Sequence, residues 1–128
     1  MRTMGLVVGL AVLVGGGIYL LREATMSTHY DTGPDSRLEV VVRAASNRAE
    51  PGVTLDEQAE AHLRSCVLEV ASRAVAVTPI AGTDDRFAIT LQPALDSTDR
   101  KQYRGCLEDW STDHLRMSVV AMTDAGSP

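Results

Sequence analysis

The chain has 128 residues, which leaves room for one compact domain and an appendage and excludes a two-domain enzyme. Apolar residues make up 45% and charged residues 23%, so a chain that is disordered throughout is also excluded. The formal net charge is −5, and residues 31–128 carry 16 acidic and 10 basic side chains, a net of −6. Such an acidic domain is a poor candidate for binding the phosphate backbone of a nucleic acid.

The first element is an uncharged apolar segment, MGLVVGLAVLVGGGIYLL, over residues 4–21. As a helix it would span roughly 27 Å, close to the thickness of a bilayer core. Because Arg2 precedes it and the acidic part follows, the positive-inside rule places the amino terminus in the cytoplasm and the remainder outside. We expect residues 1–22 to form an uncleaved signal anchor in the cell membrane. A cleaved signal peptide is the alternative, although no good small-x-small cleavage site follows the segment.

Two glycines in this segment have the spacing of a helix-packing motif. Gly5 and Gly9 form a G-x-x-x-G pair, which can let two membrane helices approach closely. Glycine is also simply frequent in membrane spans, so the pair favours a homodimer only weakly.

The next segments predict a linker, a strand and a helix. Residues 23–36 are polar and are expected to form the linker. Residues 37–45 alternate apolar and polar side chains, the pattern of a strand. Thr54 and Glu57 form a capping box, and apolar residues then recur at helical spacing over residues 55–73.

A hairpin, a second helix and a last strand follow. Residues 74–80 and 86–92 are predicted to form the hairpin, and Asp96 or Ser97 is expected to cap the second helix. The predicted buried stripe of that helix consists of Tyr103, Cys106, Leu107 and Trp110, and His114 is a further candidate that could equally lie at the surface. Residues 116–122 are predicted as the last strand and residues 124–128 as a flexible tail.

The predicted element order is β-α-β-β-α-β. This order predicts a ferredoxin-like α+β domain over residues 37–123, with two helices on one face of a four-stranded antiparallel sheet. A short repeat fits the pseudo-twofold character of such a domain. HLRSCV at residues 62–67 matches QYRGCL at residues 102–107, and each copy lies within a predicted helix.

The two cysteines, Cys66 and Cys106, are predicted to form a structural disulfide. Both fall on apolar helix faces and on the side of the membrane where disulfides persist. Redox catalysis is disfavoured because the chain has no C-x-x-C pair. A zinc site that adds His62 and His114 is disfavoured because His114 lies about 12 Å along the helix from Cys106, and both histidines are expected at the surface.

The sequence offers no recognisable catalytic motif or cofactor-binding loop. It has no glycine-rich phosphate loop, no G-x-S-x-G and no H-E-x-x-H, and we expect no cofactor and no resident metal. One lysine against eleven arginines is typical of a GC-rich bacterial genome. The layout resembles the small single-pass membrane proteins of actinobacteria, a resemblance that implies no catalytic residue.

The hypothesis that follows is a membrane-anchored, extracytoplasmic, non-catalytic interaction module. It would be an accessory subunit of a bacterial cell-envelope complex, and its contact surface for a membrane or envelope protein would be the open sheet face or an edge strand. The alternative is an extracytoplasmic domain that senses or binds a small molecule or a metal.

Overall fold

The computed structural model describes residues 12–19, 32–48, 51–110 and 114–126. The chain divides into two compact units, Met1–Asp31 and Thr32–Pro128. In the first unit residues 12–19 are helical, and none of the described helices is both long enough and apolar enough to cross a membrane. Gly5, Gly9 and the remainder of the predicted anchor lie outside the described residues.

The described part of the second unit contains four strands and two helices in the predicted order. They are β1 (Arg37–Ser46), α1 (Leu55–Val67), β2 (Arg73–Pro79), β3 (Arg86–Gln92), α2 (Ser97–Asp109) and β4 (Leu115–Ala125). The strands form one sheet in the order β2-β3-β1-β4, and all three pairings are antiparallel. The prediction of an α+β domain with a four-stranded antiparallel sheet is therefore confirmed.

The core lies between the two helices and one face of the sheet. Leu38, Val40 and Val42 on β1 are completely buried, whereas Glu39 and Arg43 between and beside them are exposed. This alternation follows from the two-residue period of a strand with one covered face. Among the described residues of the second unit, neither helix packs on the other face of the sheet.

Helix α1 begins as predicted but ends about six residues early. The Thr54 hydroxyl accepts a hydrogen bond from the Glu57 amide, and the Glu57 carboxylate accepts one from the Thr54 amide, which confirms the capping box. After Val67 the amides of residues 68–70 bond to carbonyls three residues back, so the chain tightens into turns. Within the helix, Arg64 Nε forms an ion pair of 2.8 Å with the Glu60 carboxylate one turn earlier.

Helix α2 also ends earlier than its apolar stripe suggested. The Asp96 carboxylate caps its start by accepting bonds from the amides of Thr98 and Asp99. Trp110 is the C-cap residue, with extended backbone, and is 68% exposed, so its predicted place in the buried stripe is wrong. His114 lies beyond the helix with a φ of 68° and is exposed, so it is a surface histidine, as the zinc argument expected, and is not part of the buried stripe.

Strand β4 is longer than predicted. It extends to Asp124 and Ala125, which were predicted to belong to the flexible tail. The Arg100 guanidinium on α2 forms an ion pair with the Asp124 carboxylate.

The residues just before β1 also contact the rest of the second unit, since Ser36 Oγ accepts a hydrogen bond of 3.0 Å from the Ala94 amide.

Candidate functional site

A disulfide bond joins the two helices, as predicted. It links Cys66 of α1 to Cys106 of α2, whose Cα atoms are 5.7 Å apart and whose sequence separation is 40. Cys66 is completely buried and lies one residue before the end of α1. A cross-link closing a loop of this length stabilises a fold by about 4 kcal/mol in the chain-entropy model.

The contacts around the disulfide follow the sequence repeat. Tyr103 of α2 is buried and donates a hydrogen bond of 3.1 Å to the Leu63 carbonyl oxygen of α1. Gln102 Nε2 donates one of 2.8 Å to the Glu69 carbonyl oxygen. Gln102 near the start of α2 thus contacts Glu69 just after the end of α1, whereas Leu107 near the end of α2 contacts His62 within α1, so the two helices run antiparallel.

His62 contributes to the same interface, and its predicted place at the surface is wrong. Its side chain is only 5% exposed, and Nε2 lies 3.3 Å from the Leu107 carbonyl oxygen. The buried face of α1 therefore includes His62 in addition to its apolar residues. Because the cysteine sulfurs are bonded to each other, they do not form the alternative zinc set with His62. No group of three ligating side chains occurs among the residues that the structure describes.

A shallow groove runs along the outer surface of α2, and we call it the α2 groove. Its volume is about 230 Å³, and it is lined by Glu69, Gln102, Gly105, Cys106, Asp109 and Trp110. Its lining thus includes the sole tryptophan and the disulfide-bonded Cys106. This groove was not anticipated from the sequence, because the helix end that exposes Trp110 was placed too late.

The α2 groove is electrostatically negative. Its lining includes the carboxylates of Glu69 and Asp109 and no basic side chain. The last turn of α2 adds to this potential, since it contains no basic residue and the carboxyl end of a helix carries a partial negative charge. A positively charged group next to an exposed indole would therefore be favoured there.

A second depression of about 460 Å³ lies at the outer edge of β4. It is lined by residues of β1, α2 and β4, which include Arg43, Glu108, Asp109 and Arg116. The Glu108 carboxylate accepts a hydrogen bond of 3.0 Å from the Val119 amide, so one donor of this edge strand is already occupied by a side chain. Such an occupied donor hinders the addition of another strand at this edge.

The face of the sheet opposite the helices is not covered by any described element of the second unit, and we call it the sheet face. On β1 it presents Val41, which lies in register with Ala88 of β3 and Ala121 of β4. Ala88 in turn lies opposite Thr78 of β2. A row of small uncharged side chains thus crosses all four strands at the centre of the sheet.

Comparison with known proteins gives no match: no family model matches the chain, and no significant similarity to a curated protein or a solved structure is found.

Proposed function

We propose that this protein is a non-catalytic interaction module, an accessory subunit that binds a protein partner of the bacterial cell envelope. The observation that carries the proposal is the exposure of Trp110 in the α2 groove. Tryptophan is among the residue types that contribute most to binding at interfaces. A side chain of this size left in water costs free energy that docking of a partner recovers.

The partner segment that suits the α2 groove carries an arginine or a lysine. Its cationic head would lie near the carboxylates of Glu69 and Asp109, and its aliphatic stem would pack on Trp110. A cation over an exposed indole contributes about 0.5–1 kcal/mol, and the carboxylates add attraction that salt screens. Binding is therefore expected to weaken as the ionic strength increases.

The same proposal places the domain outside the cytoplasm, anchored by residues 4–21. The apolar segment and its flanking charges support the anchor. The Cys66–Cys106 bond supports the compartment, because disulfides persist in oxidising environments and are rare in the cytosol. Protease treatment of intact cells tests the placement: loss of a carboxy-terminal tag without cell lysis is expected, and full protection would contradict it.

The partner proposal is tested with the full chain, tagged and purified from its native membranes at low and at high salt. We expect a partner that is retained by the wild type, lost with Trp110→Ala and reduced with Asp109→Asn. Val53→Ala is the matched control, because Val53 is an exposed apolar residue outside the groove. A protein that is recovered alone, or a partner that Trp110→Ala retains fully, would contradict the proposal.

A further inference from the structure

We propose that the arginines of the sheet face bind the phosphate groups of anionic phospholipids, so that this face docks on the membrane that carries the anchor. The inference rests on the membrane anchor of the proposed function and is independent of the α2 groove. Three observations carry it: the charge of the sheet face, an arginine cluster at one end of it, and the length of chain that joins it to the anchor.

The sheet face is positively charged although the chain beyond residue 30 is acidic. Each of its arginines is next in sequence to a side chain that packs in the core, so the arginine itself points to the opposite face. These arginines are Arg37 and Arg43 on β1, Arg73 on β2, Arg86 on β3 and Arg116 on β4. The described strands thus present on this face five of the 10 basic side chains of residues 31–128 and one of the 16 acidic ones, Glu39. An anionic surface is therefore attracted to this face of the second unit.

Three of these arginines, Arg43, Arg86 and Arg116, lie together at one end of the face, and we call them the arginine cluster. Arg86 lies in register with Arg43, and Arg116 lies in register with Ala45, two residues along β1 from Arg43. The three side chains therefore start from adjacent strands, which lie about 5 Å apart. Like charges directly opposite each other on a sheet cost free energy, and a bound anion recovers that cost.

The carboxylates near the arginine cluster neutralise only part of its charge. Asp85 forms an ion pair of 3.1 Å with Nε of Arg43. The other two arginines of the cluster form no ion pair with any carboxylate that the structure describes. Glu108 of α2, which borders the cluster, instead accepts a hydrogen bond of 3.0 Å from the Val119 amide and lies 3.8 Å from Nε of Arg104. Two guanidinium groups are thus available to an anion from outside the domain.

Phosphate groups arranged in a plane suit this face. A guanidinium donates two parallel hydrogen bonds to the oxygens of a phosphate, and three guanidinium groups on adjacent strands can engage more than one phosphate. The central row of the face consists of small side chains, whereas the arginines at its ends are long. A flat layer of lipid headgroups therefore meets the guanidinium groups first, without a bulky side chain between them.

The anchor favours a membrane over a polyanion in solution. Residues 31–128 have a net charge of −6, so long-range attraction to a soluble polyanion is absent and the contact needs a high local concentration. Residues 22–36 join the apolar segment to Arg37, the first residue of β1, and span at most roughly 50 Å when extended. An anchored chain therefore keeps the sheet face within reach of the headgroups. Each arginine near an anionic membrane then raises the ratio of docked to undocked domain about fivefold.

The test is fluorescence quenching of the full chain in vesicles whose lipid headgroups carry a nitroxide, a quencher that acts only at short range. One sample carries the fluorophore at Thr78→Cys, because Thr78 is exposed on the sheet face. The other carries it at Leu68→Cys, because Leu68 is 85% exposed at the end of α1, away from that face. In vesicles with phosphatidylglycerol we expect strong quenching at Thr78 and weak quenching at Leu68, and in neutral phosphatidylcholine vesicles we expect the two to be alike. Equal quenching at both positions in the anionic vesicles would overturn the inference.

Removal of charge in the Thr78→Cys background tests the arginine cluster. Changing its three arginines to glutamine should lower the ratio of docked to undocked domain roughly a hundredfold, at about fivefold each, so that quenching falls to its level in neutral vesicles. The matched control carries Arg64→Gln, Lys101→Gln and Arg104→Gln, three exposed positions on the helices, and changes the net charge equally. The control should be quenched like the parent, and added salt should weaken the quenching of both. Retention of the Cys66–Cys106 bond, checked by intact mass, shows that the variants fold. A cluster variant that is quenched like the parent, or a control that loses quenching equally, would refute the role of the cluster.

The anchor and the headgroup contact fail separately. Alkaline washing of neutral vesicles tests the anchor alone, and a chain that washes off would contradict the anchor. Flotation of that chain with anionic and with neutral vesicles then measures the contact: binding to anionic vesicles that the cluster variant loses would uphold it, and absence of binding would overturn it. Binding of a single-stranded oligonucleotide to the chain in neutral vesicles, lost with the cluster variant, would assign the face to nucleic acid instead. Trp110→Ala should leave the quenching unchanged, because the α2 groove takes no part in this contact.

Discussion

Tyr103 and Leu63 stand at matching positions of the sequence repeat and contact each other: the Tyr103 hydroxyl donates a hydrogen bond of 3.1 Å to the Leu63 carbonyl oxygen. Both side chains are completely buried. A second matching pair, Cys66 and Cys106, lies three residues further along each helix and is joined covalently. The repeated segments thus form the interface between the two halves of the domain, where packing, a hydrogen bond and a disulfide coincide.

The first prediction concerns alkaline stability. Burial raises the pKa of the Tyr103 hydroxyl well above its usual range, so the folded protein retains a proton that the unfolded chain loses near pH 10. The stabilisation is complete below that pH and is lost as the pH rises further, by about 1.4 kcal/mol per pH unit. Tyr103→Phe should flatten this slope and cost about 1 kcal/mol at neutral pH through the lost hydrogen bond.

Urea unfolding of wild type and Tyr103→Phe between pH 7 and pH 11, followed by circular dichroism, measures both effects. The remaining tyrosines are common to the two proteins, so the difference in slope belongs to Tyr103. Identical slopes above pH 10 would contradict the prediction.

The second prediction concerns the disulfide. Replacing both Cys66 and Cys106 by alanine should lower the free energy of unfolding by about 4 kcal/mol, because the unfolded chain is no longer constrained over 40 residues. A domain of this size has roughly 5–15 kcal/mol in total, so the variant should be marginal but folded. Denaturant unfolding with and without reductant measures the change. Reductant should destabilise the wild type and leave the variant unaffected, and a variant as stable as the oxidised wild type would refute the argument.

The elements with strong periodicity were predictable from the sequence, and the helix ends were less so. Strand β3 was placed at its observed bounds, and the Thr54 capping box located the start of α1, because both signals are local. The end of α1 depended on turns formed by residues 68–70, which have no distinct sequence signature. Trp110 continued the stripe of Tyr103 and Leu107 at helical spacing, and only the end of α2 at Asp109 turns it to solvent.

The candidate binding surfaces depend on tertiary relationships that no single segment encodes. The α2 groove combines Glu69, which follows α1, with Trp110, which follows α2. The central row of the sheet face required the register of four strands. The pairing of the cysteines could be predicted because only two exist and the element order brings their helices together. The burial of His62 was missed because it depends on how closely α2 approaches α1.

The third prediction concerns the start of α1. Thr54→Ala removes the hydroxyl that accepts a hydrogen bond from the Glu57 amide, and it should lower the free energy of unfolding by about 1 kcal/mol. Glu57→Gln keeps an acceptor for the Thr54 amide but removes a negative charge from the first turn, so its cost should be smaller. Thermal unfolding of the two variants beside the wild type measures the difference. The reverse order of stability would argue against the capping box as the main contribution.

The fourth prediction concerns the turn before β4. His114 has a φ of 68°, a conformation that glycine adopts freely and β-branched residues avoid. His114→Gly should therefore leave stability unchanged or raise it slightly, whereas His114→Val should lower it by about 1–2 kcal/mol. Both variants keep the backbone carbonyl at position 114 that accepts a hydrogen bond from the Asn47 amide. Chemical unfolding therefore measures the cost of the backbone conformation itself. Equal destabilisation by glycine and valine would point instead to a contact of the imidazole.

The fifth prediction separates binding from packing at the end of α2. Trp110 is 68% exposed, so Trp110→Ala should change the free energy of unfolding by less than about 0.5 kcal/mol. Leu107, three residues earlier, is completely buried, and Leu107→Ala should cost about 2–5 kcal/mol through the cavity it leaves. Denaturant unfolding of the two variants gives the contrast. If Trp110→Ala destabilised the domain as strongly as Leu107→Ala, the indole would be part of the core, and its loss could no longer be used to test partner binding.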